Sequence, residues 1–269
     1  MGNKKLSIIT VTMNHLSQVK ELLFSLYKEC IPEVDFEMII VDNCSNDGTV
    51  DFIAKEYPQV KLIRNRKVYG FAKNNNIGYK CAKGEYIGIV NPDIIILPNS
   101  IDQLVSFLDN HQNVGICCPM LLYPDHSLQY SVRKFITPIS LFYRALSLGK
   151  DDVDNRKNSY LIKEIDSSLE YMNIDWAIGA AYFVRRNVFE RIGGFDEKFF
   201  LYVEDVDLCL SVKKKGYDVV YLPNVKMIHA HNRKSTKSIN RYTFIHLKSF
   251  LYYFWKHNLW FRSTVKINR

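Results

Sequence analysis

Short apolar strands alternate with amphipathic helical segments as far as about residue 120, and this alternation limits the fold more than any other feature of the chain. The first strand, Leu6 to Thr12, is rich in β-branched residues and precedes a helical pattern at Ser17 to Cys30. The alternation continues with strands at Phe36 to Val41, Val60 to Arg64 and Glu85 to Asn91, and helices at Thr49 to Glu56, Ala72 to Ala82 and Ser100 to Asn110. This order predicts an α/β fold with a mostly parallel sheet covered by helices on both faces. In such sheets, ligands bind beyond the carboxyl ends of the strands.

Polar side chains follow three of the predicted strands at the edge where ligands would bind. The first strand ends in Val11-Thr12-Met13-Asn14. Asp42 ends the second strand, where a carboxylate can accept hydrogen bonds from a ribose or a base. Asp93 follows a buried strand in Asn91-Pro92-Asp93, where it is placed to meet a divalent cation that bridges two phosphates. Asp and Asn also close turns at strand ends by bonding their own backbone. Three such positions on one edge favour a binding site over turn chemistry alone.

Two common nucleotide-binding motifs do not occur where this sheet would need them. A dinucleotide-binding enzyme carries Gly-x-Gly-x-x-Gly after the first strand, whereas this chain reads Thr12-Met13-Asn14-His15 at that position. No Walker A sequence is present either. The sequence therefore argues against a dinucleotide-dependent oxidoreductase and against a P-loop enzyme.

The composition is that of a folded protein of one or two domains. The chain has 269 residues, of which 47% are hydrophobic and 24% are charged, so a disordered chain and a disulfide-framed miniprotein are excluded. Its six cysteines are scattered without metal-ligand or redox-pair spacing, which indicates reduced thiols. No apolar stretch reaches the length of a membrane span, and the first residues do not resemble a signal peptide. We therefore expect a cytoplasmic protein.

Basic and aromatic residues concentrate near the end of the chain. Between Leu210 and Arg269 there are 13 lysines and arginines against one acid, Asp218. From Tyr242 to Phe261, nine of twenty residues are aromatic. A basic amphipathic helix of this kind is typical of a helix lying in a membrane interface, here the inner face of the cell membrane. The alternative is that these aromatic residues pack on the body or in a homodimer interface.

A nucleic-acid-binding protein is the alternative from another functional class, since the sequence pI is about 9.0 and aromatic residues are interleaved with basic ones. Against it, the net positive charge is confined to the last part of the chain, because the 209 residues before Leu210 carry 23 lysines and arginines against 27 acids. The predicted site is lined by carboxylates, which repel phosphates unless a metal is bound. We therefore expect no nucleic-acid partner.

Four ordered segments resemble the nucleotide-sugar half of the family 2 glycosyltransferases, which have the GT-A fold, a Rossmann-like sheet flanked by helices. They are Ser7-Ile-Ile-Thr-Val-Thr, Val41-Asp-Asn-Cys-Ser-Asn-Asp-Gly-Thr, Gly70-Phe-Ala-Lys-Asn-Asn-Asn-Ile-Gly and Asn91-Pro-Asp. Trp176-Ala-Ile-Gly-Ala and the segment from Gly193 to Leu208 are similar to the acceptor half. The resemblance predicts a GT-A domain at 1–240, with a donor half to about residue 120 and an acceptor half beyond it. Residues 241–269 would form a basic, aromatic helical tail.

Further segments resemble the bacterial rhamnosyltransferases: Tyr130-Ser-Val-Arg-Lys-Phe, Asp175-Trp176, and the stretch from His229 to Ser235 followed by His246-Leu-Lys-Ser. These inverting enzymes move L-rhamnose from dTDP-rhamnose to N-acetylglucosamine on a polyprenyl diphosphate carrier, in the biosynthesis of surface polysaccharides such as O-antigen. The resemblance implies this donor, this acceptor and a Mg²⁺ or Mn²⁺ cofactor. A UDP-sugar donor is the alternative within the family.

The resemblance also implies which residues meet the donor. The nucleotide-sugar site would comprise Thr10, Thr12, Asn14, Asp42, Asn43, Gly70, Asn74, Asn91 and Asp93. Within this set, Asp42 would bond the base, the two threonines and Asn14 would lie along the nucleoside, and Gly70 and Asn74 would approach the ribose and diphosphate. Asn91 stands where the family has the first Asp of its Asp-x-Asp motif, so the metal would rest on Asp93 and a histidine. His229 and His231 are both candidates, and His231 is the working assignment.

The acceptor side carries the predicted base. Glu204-Asp205 matches the family's Glu-Asp motif, and the acceptor hydroxyl must lose a proton as it attacks the anomeric carbon. Acids at a helix start are also favoured by the helix dipole. However, Glu204, Asp205 and Asp207 exceed what one cap needs. We therefore predict Asp205 as the catalytic base, with Glu204 as its main competitor.

Four further residues are predicted to bind the acceptor: Trp176, Gly179, Ala180 and Arg133. Trp176 would stack on a sugar face or belong to the core, and Gly179 and Ala180 would leave room for the acceptor. Arg133, next to Lys134, would meet the carrier diphosphate or remain a solvated charge.

One position departs from the family pattern near the predicted base. Ser211 replaces an arginine that is common in the family. Lys213 or Lys214 would have to take the role of that arginine.

Overall fold

The computed structural model describes residues 4–141, 161–162, 164–230, 241–260 and 265. Its helices are α1 (Leu16–Phe24), α2 (Thr49–Glu56), α3 (Phe71–Tyr79), α4 (Ser100–Asn110), α5 (Arg186–Ile192), α6 (Glu204–Lys214) and α7 (Arg241–His257), and a π-helical segment (Ser25–Glu29) continues α1. Its strands are β1 (Leu6–Thr12), β2 (Phe36–Asp42), β3 (Lys61–Arg64), β4 (Tyr86–Val90), β5 (Ile94–Ile95), β6 (Val114–Leu122), β7 (Val132–Arg133), β8 (Met172–Asn173), β9 (Trp176–Ala177), β10 (Ala181–Arg185) and β11 (Asp218–His229). We call α6 the acidic helix and α7 the aromatic helix.

Nine of the described strands form one sheet in the order β3-β2-β1-β4-β10-β6-β11-β5, with β8 paired to β11. β1 pairs in parallel with β2 and β4, and β2 with β3, so the donor half is parallel as predicted. β10 runs antiparallel between β4 and β6, whereas β6 and β11 are again parallel. β7 and β9 form a small antiparallel ribbon beside the sheet.

Apolar side chains cover both faces of the sheet. The central strand β4 is buried along its whole length, as expected for a strand covered on both faces. One face packs against α1, α2 and α4. The other face packs against α3, α5, the acidic helix and the aromatic helix. The predicted α/β architecture with helices on both faces is therefore confirmed.

One edge of the sheet collects the segments that the sequence singled out. Because β1, β2 and β4 are parallel, their carboxyl ends lie together, and Thr12 is in register with Asp42. β10 runs the opposite way, so its first residue, Ala181, lies beside Val90 at the end of β4. β11 ends at the same edge with His229, because it runs parallel to β6. Strand direction alone thus brings together segments that are far apart in the sequence.

The aromatic helix belongs to the same core as the sheet. Its residues Phe250, Tyr253 and Phe254 are buried there, as is Leu259 just beyond its end. The predicted division at residue 240 therefore separates two segments that share one core. Within the described ranges, no helix combines the length and the apolarity needed to cross a bilayer.

Candidate active site

The loops after β1 and β2 are tied to each other by hydrogen bonds. Asn14 Oδ1 accepts a bond from the Asn46 N–H at 2.8 Å, and the Asn14 N–H donates to Ser45 Oγ at 2.9 Å. Asp42 Oδ2 accepts a bond from the Ser45 N–H at 3.1 Å. Asn14 has a left-handed backbone, with φ of 58°, which Asn tolerates better than most residues. We call the edge of the sheet at the carboxyl ends of β1, β2 and β4 the donor edge, after the sugar donor expected there. Asn14 and Asp42 hold its loops in one conformation.

Buried amides form a network beneath the donor edge. Asn43 Oδ1 accepts a bond from the Tyr69 N–H at 2.9 Å, and Asn43 Nδ2 donates to the Tyr69 carbonyl at 3.0 Å. Asn74 Nδ2 donates to the same carbonyl at 3.1 Å, and Asn65 Nδ2 donates to Asn74 Oδ1 at 2.6 Å. Asn74 has no exposed surface, so it shapes the site from beneath and does not line it.

Gly70 is required by a contact within the protein. A Cβ at this position would lie 2.7 Å from Cα of Phe200 and would clash with its backbone. The N–H of Phe71 donates to the Phe200 carbonyl at 2.9 Å. The glycine therefore allows the start of α3 to dock on the loop before the acidic helix. The sequence predicted that a ribose and diphosphate approach Gly70 closely. The structure shows a close approach by the backbone of Phe200, and the approach of a ligand stays a prediction.

Two polar atoms at the donor edge, Thr12 Oγ1 and Asp42 Oδ1, have no hydrogen-bond partner among the described residues. Both residues are buried and lie in register on neighbouring strands. Thr10, two residues earlier, donates its hydroxyl to the Val90 carbonyl at 2.7 Å, so this hydroxyl is used inside the sheet. An unpaired buried polar atom is costly, and a hydrogen-bonding ligand at this edge would reduce the cost.

The pairing of β5 with β11 brings a histidine to Asp93. Ile94 is in register with His229, and the Ala230 N–H donates to the Asp93 carbonyl at 2.8 Å. His229 Nε2 lies 3.4 Å from Asp93 Oδ1, while His229 Nδ1 lies 2.7 Å from Gln129 Oε1. The contact with Gln129 holds the ring through Nδ1 and leaves Nε2 facing the carboxylate.

A carboxylate oxygen and an imidazole nitrogen that face each other fit a divalent cation. Histidine ligands usually have their other ring nitrogen held by an outer partner, as Gln129 holds His229. Within the described ranges, no three His, Cys, Asp or Glu side chains cluster as a metal site. A cation such as Mg²⁺ needs only one or two protein carboxylates, because water and phosphate oxygens complete its shell. Of the two candidate histidines, His229 lies beside Asp93. His231, the working assignment, is outside the described residues.

The turn at Gly179-Ala180 connects the donor edge to the acceptor side. The Asn91 N–H donates to the carbonyl of the fully buried Ala180 at 2.8 Å. The Gly179 N–H donates to Asp205 Oδ2 at 3.2 Å. A Cβ on Gly179 would lie only 3.0 Å from Cβ of Asp205. The small residue at 179 therefore makes room for Asp205 itself, whereas the sequence had predicted room for the acceptor.

Glu204 and Asp205 differ in exposure and in hydrogen bonding. Asp205 is partly exposed, and its Oδ1 accepts a second backbone bond, from the Val206 N–H at 2.8 Å. Glu204 is buried, and its Oε2 has no partner among the described residues. Burial and the neighbouring Asp205 raise the pKa of Glu204 to about 8. Burial also raises the pKa of Asp205, although the two backbone N–H groups and Arg133 oppose this shift. Asp205 is therefore better suited than Glu204 to take a proton from a ligand.

Asp207, the third acid at the start of the acidic helix, binds side chains of the aromatic helix. Its carboxylate lies 2.7 Å from His257 Nε2 and 2.9 Å from Lys256 Nζ. His257 Nδ1 lies 2.7 Å from Lys214 Nζ. Lys256 and Ser211 line the same cavity of about 360 Å³. Lys256 is therefore the lysine that contacts Asp207. Lys214, one of the two lysines predicted to replace the family's arginine, contacts His257, which in turn contacts Asp207.

Trp176 and Arg133 lie together on the small ribbon. Trp176 is 7% exposed, and its Nε1–H donates to the Lys134 carbonyl at 2.8 Å. The guanidinium of Arg133 lies 5.7 Å from the centre of the indole. This placement agrees with the core interpretation of Trp176, since stacking on a sugar would need Arg133 to move aside. Arg133 acts to lower the pKa of Asp205, and its role in acceptor binding stays a prediction.

Sequence reasoning missed Gln129, Tyr69 and Phe200. Gln129 lies in the middle region, where the sequence has no clear periodicity, and Tyr69 and Phe200 contribute only backbone groups. No local pattern marks such contacts. A cavity of about 790 Å³ lies at the opposite edge of the sheet, lined by Lys5, Lys83 and Arg186 among others.

Comparison with known proteins identifies the family of this chain. The model of the family described as "Glycosyl transferase family 2" matches residues 7–193, which is more than half of the chain. The protein is 28% identical over 277 residues to the N-acetylglucosaminyl-diphospho-decaprenol L-rhamnosyltransferase of Mycobacterium tuberculosis (strain ATCC 25618 / H37Rv), covering 97% of this chain and 88% of the relative. It is 29% identical over 250 residues to the rhamnosyltransferase WbbL of Escherichia coli (strain K12), covering 90% of this chain and 89% of the relative.

A solved structure shows the same fold. The mannosyltransferase PcManGT from Pyrobaculum calidifontis, in complex with GDP-Man and Mn²⁺, matches with a TM-score of 0.59 at 19% sequence identity. The match covers 87% of this chain and 59% of that chain. The expected GT-A fold is confirmed by this likeness.

Proposed function

This chain belongs to glycosyl transferase family 2, and from that membership we propose that it transfers L-rhamnose from dTDP-rhamnose to N-acetylglucosamine on a polyprenyl diphosphate. Two relatives that align with most of the chain are named rhamnosyltransferases. The name of the mycobacterial relative specifies an N-acetylglucosaminyl-diphospho-decaprenol substrate. The product would serve the biosynthesis of a surface polysaccharide such as O-antigen.

The observation that carries the proposal is the Gly179-Ala180 turn, with Asn91 bound on one side and Asp205 on the other. This turn separates a donor edge, where Asp42 and Thr12 offer buried polar atoms, from an acceptor side with the partly exposed residue Asp205. A nucleotide against the donor edge would direct its diphosphate toward Asp93. Asp93 and His229 would hold a Mg²⁺ or Mn²⁺, which when bound neutralises charge on the departing diphosphate.

Asp205 would act as the base in a single displacement. As the acceptor oxygen attacks the anomeric carbon, Asp205 takes the hydroxyl proton, and the bond from that carbon to the nucleotide oxygen breaks on the opposite face. The N–H groups of Gly179 and Val206 fix the direction of the carboxylate. Burial keeps Glu204 largely protonated at neutral pH, so it adds no second negative charge beside Asp205. The configuration at the anomeric carbon is inverted.

The experiment is a transfer assay with a synthetic N-acetylglucosamine diphosphate lipid, followed by mass spectrometry of the product. We expect a deoxyhexose to be added from dTDP-rhamnose in the presence of Mg²⁺ or Mn²⁺. Parallel reactions with UDP-N-acetylglucosamine and UDP-glucose test the alternative donor class. Transfer from a UDP-sugar, with none from dTDP-rhamnose, would contradict the proposed donor and leave the family assignment intact.

The proposed acceptor sets where the reaction takes place. A polyprenyl diphosphate stays in the bilayer, so the protein would work at the inner face of the cell membrane as a peripheral protein. The proposed acceptor therefore requires this location.

A further inference from the structure

The aromatic helix exposes an apolar stripe on the face that points away from the core. Four side chains on this face are exposed by 67%, 51%, 46% and 65%: Phe244, Leu247, Leu251 and Trp255. They follow one another at intervals of three, four and four residues, so they lie along one side of the helix. The opposite side is already buried against the body. A surface helix that turns apolar residues outward on this scale marks an interaction surface.

The stripe borders the loop that leads into the predicted base. Ser249 Oγ donates to the Leu201 carbonyl at 3.1 Å, and the His246 ring lies 4.7 Å from the Tyr202 ring. Phe200 and Tyr202 are themselves exposed, so they extend the apolar surface toward Glu204. A partner on this surface would therefore lie next to the acceptor side of the site.

Positive charge accompanies the stripe. The aromatic helix contains no Asp or Glu, and the exposed Lys248 lies between Phe244 and Leu251 on the same side. Lys198, also exposed, places its ammonium 5.3 Å from the centre of the Tyr252 ring. An apolar, Trp-bearing face with a basic border fits the headgroup region of an anionic bilayer.

The aromatic helix is held rigidly against the acidic helix. Lys256 Nζ lies 2.8 Å from Asp196 Oδ2 and 2.9 Å from the Asp207 carboxylate, and His257 Nε2 lies 2.7 Å from Asp207 Oδ1. Asp207 and His257 are both buried. The stripe therefore has a fixed orientation relative to Asp205, which a flexible tail would not provide.

We propose that the stripe formed by Phe244, Leu247, Leu251 and Trp255 is the surface by which this protein lies on an anionic membrane. The aromatic helix lies parallel to the membrane plane, and the acceptor side of the site faces the headgroups. Binding to lipid follows from the surface alone. Its purpose, which is to reach a lipid-linked acceptor, rests on the proposed function.

The test is flotation of the full chain with vesicles of phosphatidylcholine mixed with phosphatidylglycerol, and with vesicles of phosphatidylcholine alone. The stripe variant combines Leu251→Ser and Trp255→Ser, and the matched control combines Phe24→Ser and Ile31→Ser. The control removes two side chains that are 50% and 62% exposed near α1, far away in the sequence. All four residues are exposed, so both variants should fold, which circular dichroism and thermal melting verify.

We expect the wild type and the control to float with the mixed vesicles. The bound fraction of the stripe variant should be lower by a factor of about ten or more, because binding scales with the buried apolar area. Equal flotation of both variants, or no flotation of the wild type, would overturn the proposal. Equal binding to the neutral vesicles would overturn its anionic part. A wild-type dimer that the stripe variant converts to a monomer, without vesicle binding, would assign the surface to a second copy of the chain.

A transfer assay with a water-soluble, short-chain acceptor separates this proposal from the proposed function. The stripe variant should retain wild-type transfer in that assay, because the substituted side chains are exposed and Asp205 is held by the N–H groups of Gly179 and Val206. A wild type that floats but transfers no sugar would refute the proposed function and leave the membrane surface supported.

Discussion

The amide network beneath the donor edge and the start of the acidic helix on the acceptor side differ in how their polar groups are held. On the donor edge, the buried amides of Asn43 and Asn74 have their hydrogen bonds made within the protein. On the acceptor side, Tyr202 and Val203 have left-handed backbones immediately before the acidic helix, with φ of 69° and 70°. A β-branched residue such as Val rarely adopts this conformation. Glu204, which follows, has a buried oxygen without a partner in the described part of the chain.

We infer from this difference that the donor edge serves ligand binding and the acceptor side serves the chemical step. The register of parallel strands and the hydrogen bonds among Asn43, Asn65 and Asn74 fix the donor edge, where Thr12 Oγ1 and Asp42 Oδ1 have no partner among the described residues. Packing of the loop and the aromatic helix holds the acceptor side in a conformation that costs about 1–3 kcal/mol per strained residue. Substitutions on the acceptor side should therefore change the rate of chemistry, whereas substitutions on the donor edge should change ligand binding and stability.

The largest expected effect is at Asp205. Replacing Asp205 by Asn removes the base and keeps the shape, so we expect kcat to fall by about 10²–10⁴-fold while nucleotide affinity and stability change little. Steady-state kinetics at saturating donor measure the rate, and calorimetry measures nucleotide binding. Glu204→Gln is the control and should lose much less activity. If Asp205→Asn retains more than about a tenth of the wild-type rate, the role of base moves to Glu204.

On the donor edge, Asp93→Ala should abolish metal-dependent binding of the nucleotide. The substitution removes the carboxylate that faces His229 Nε2 at 3.4 Å. Calorimetric titration with dTDP, with and without Mn²⁺, measures the effect. Asp125→Ala, at an acid in an exposed turn, is the matched control and should bind as the wild type does. Unchanged Mn²⁺ dependence in the Asp93 variant would refute a metal site at this position.

The contact between the two regions can be tested at Gly70. A methyl group there meets the backbone of Phe200, which cannot move without displacing the loop before the acidic helix. We expect Gly70→Ala to lower the free energy of unfolding by about 1–3 kcal/mol. Gly88→Ala in β4 is the control, since its Cβ would find only ordinary contacts at 3.4 Å and beyond. Equal losses in urea denaturation would show that the Phe200 contact does not join the two regions.

The last prediction is a pH dependence of stability from Glu204. Its pKa is raised from 4.5 to about 8 in the folded protein, so the folded state keeps a proton that the unfolded state releases above about pH 4.5. Stability is therefore fully present below that pH and falls as the pH rises toward 8, by at most about 1.4 kcal/mol per pH unit. The urea midpoints of the wild type and Glu204→Gln should be most similar at the acidic end of this range. At the alkaline end, the midpoint of the wild type should be lower relative to that of the variant. Parallel curves would mean that Glu204 ionises normally in the folded state.

Local patterns in the sequence determined the order of strands and helices and the polar residues at the strand ends. Side chains alternate every two residues in strands and recur at about 3.6 residues in helices, so the burial of each element is visible in its own residues. Thr12, Asp42 and Asn91 could therefore be assigned to one edge, and Glu204 and Asp205 to a helix start, before any coordinates were known.

Tertiary structure alone decided which of these residues meet. The antiparallel pairing of β5 with β11 selected His229 as the neighbour of Asp93, and a backbone N–H from Gly179 fixed Asp205. The same packing divided the aromatic helix into a buried face and an exposed stripe. Such contacts join segments that are distant along the chain through backbone groups that every residue carries. No residue type signals them, so the sequence determines them only through the folded arrangement as a whole.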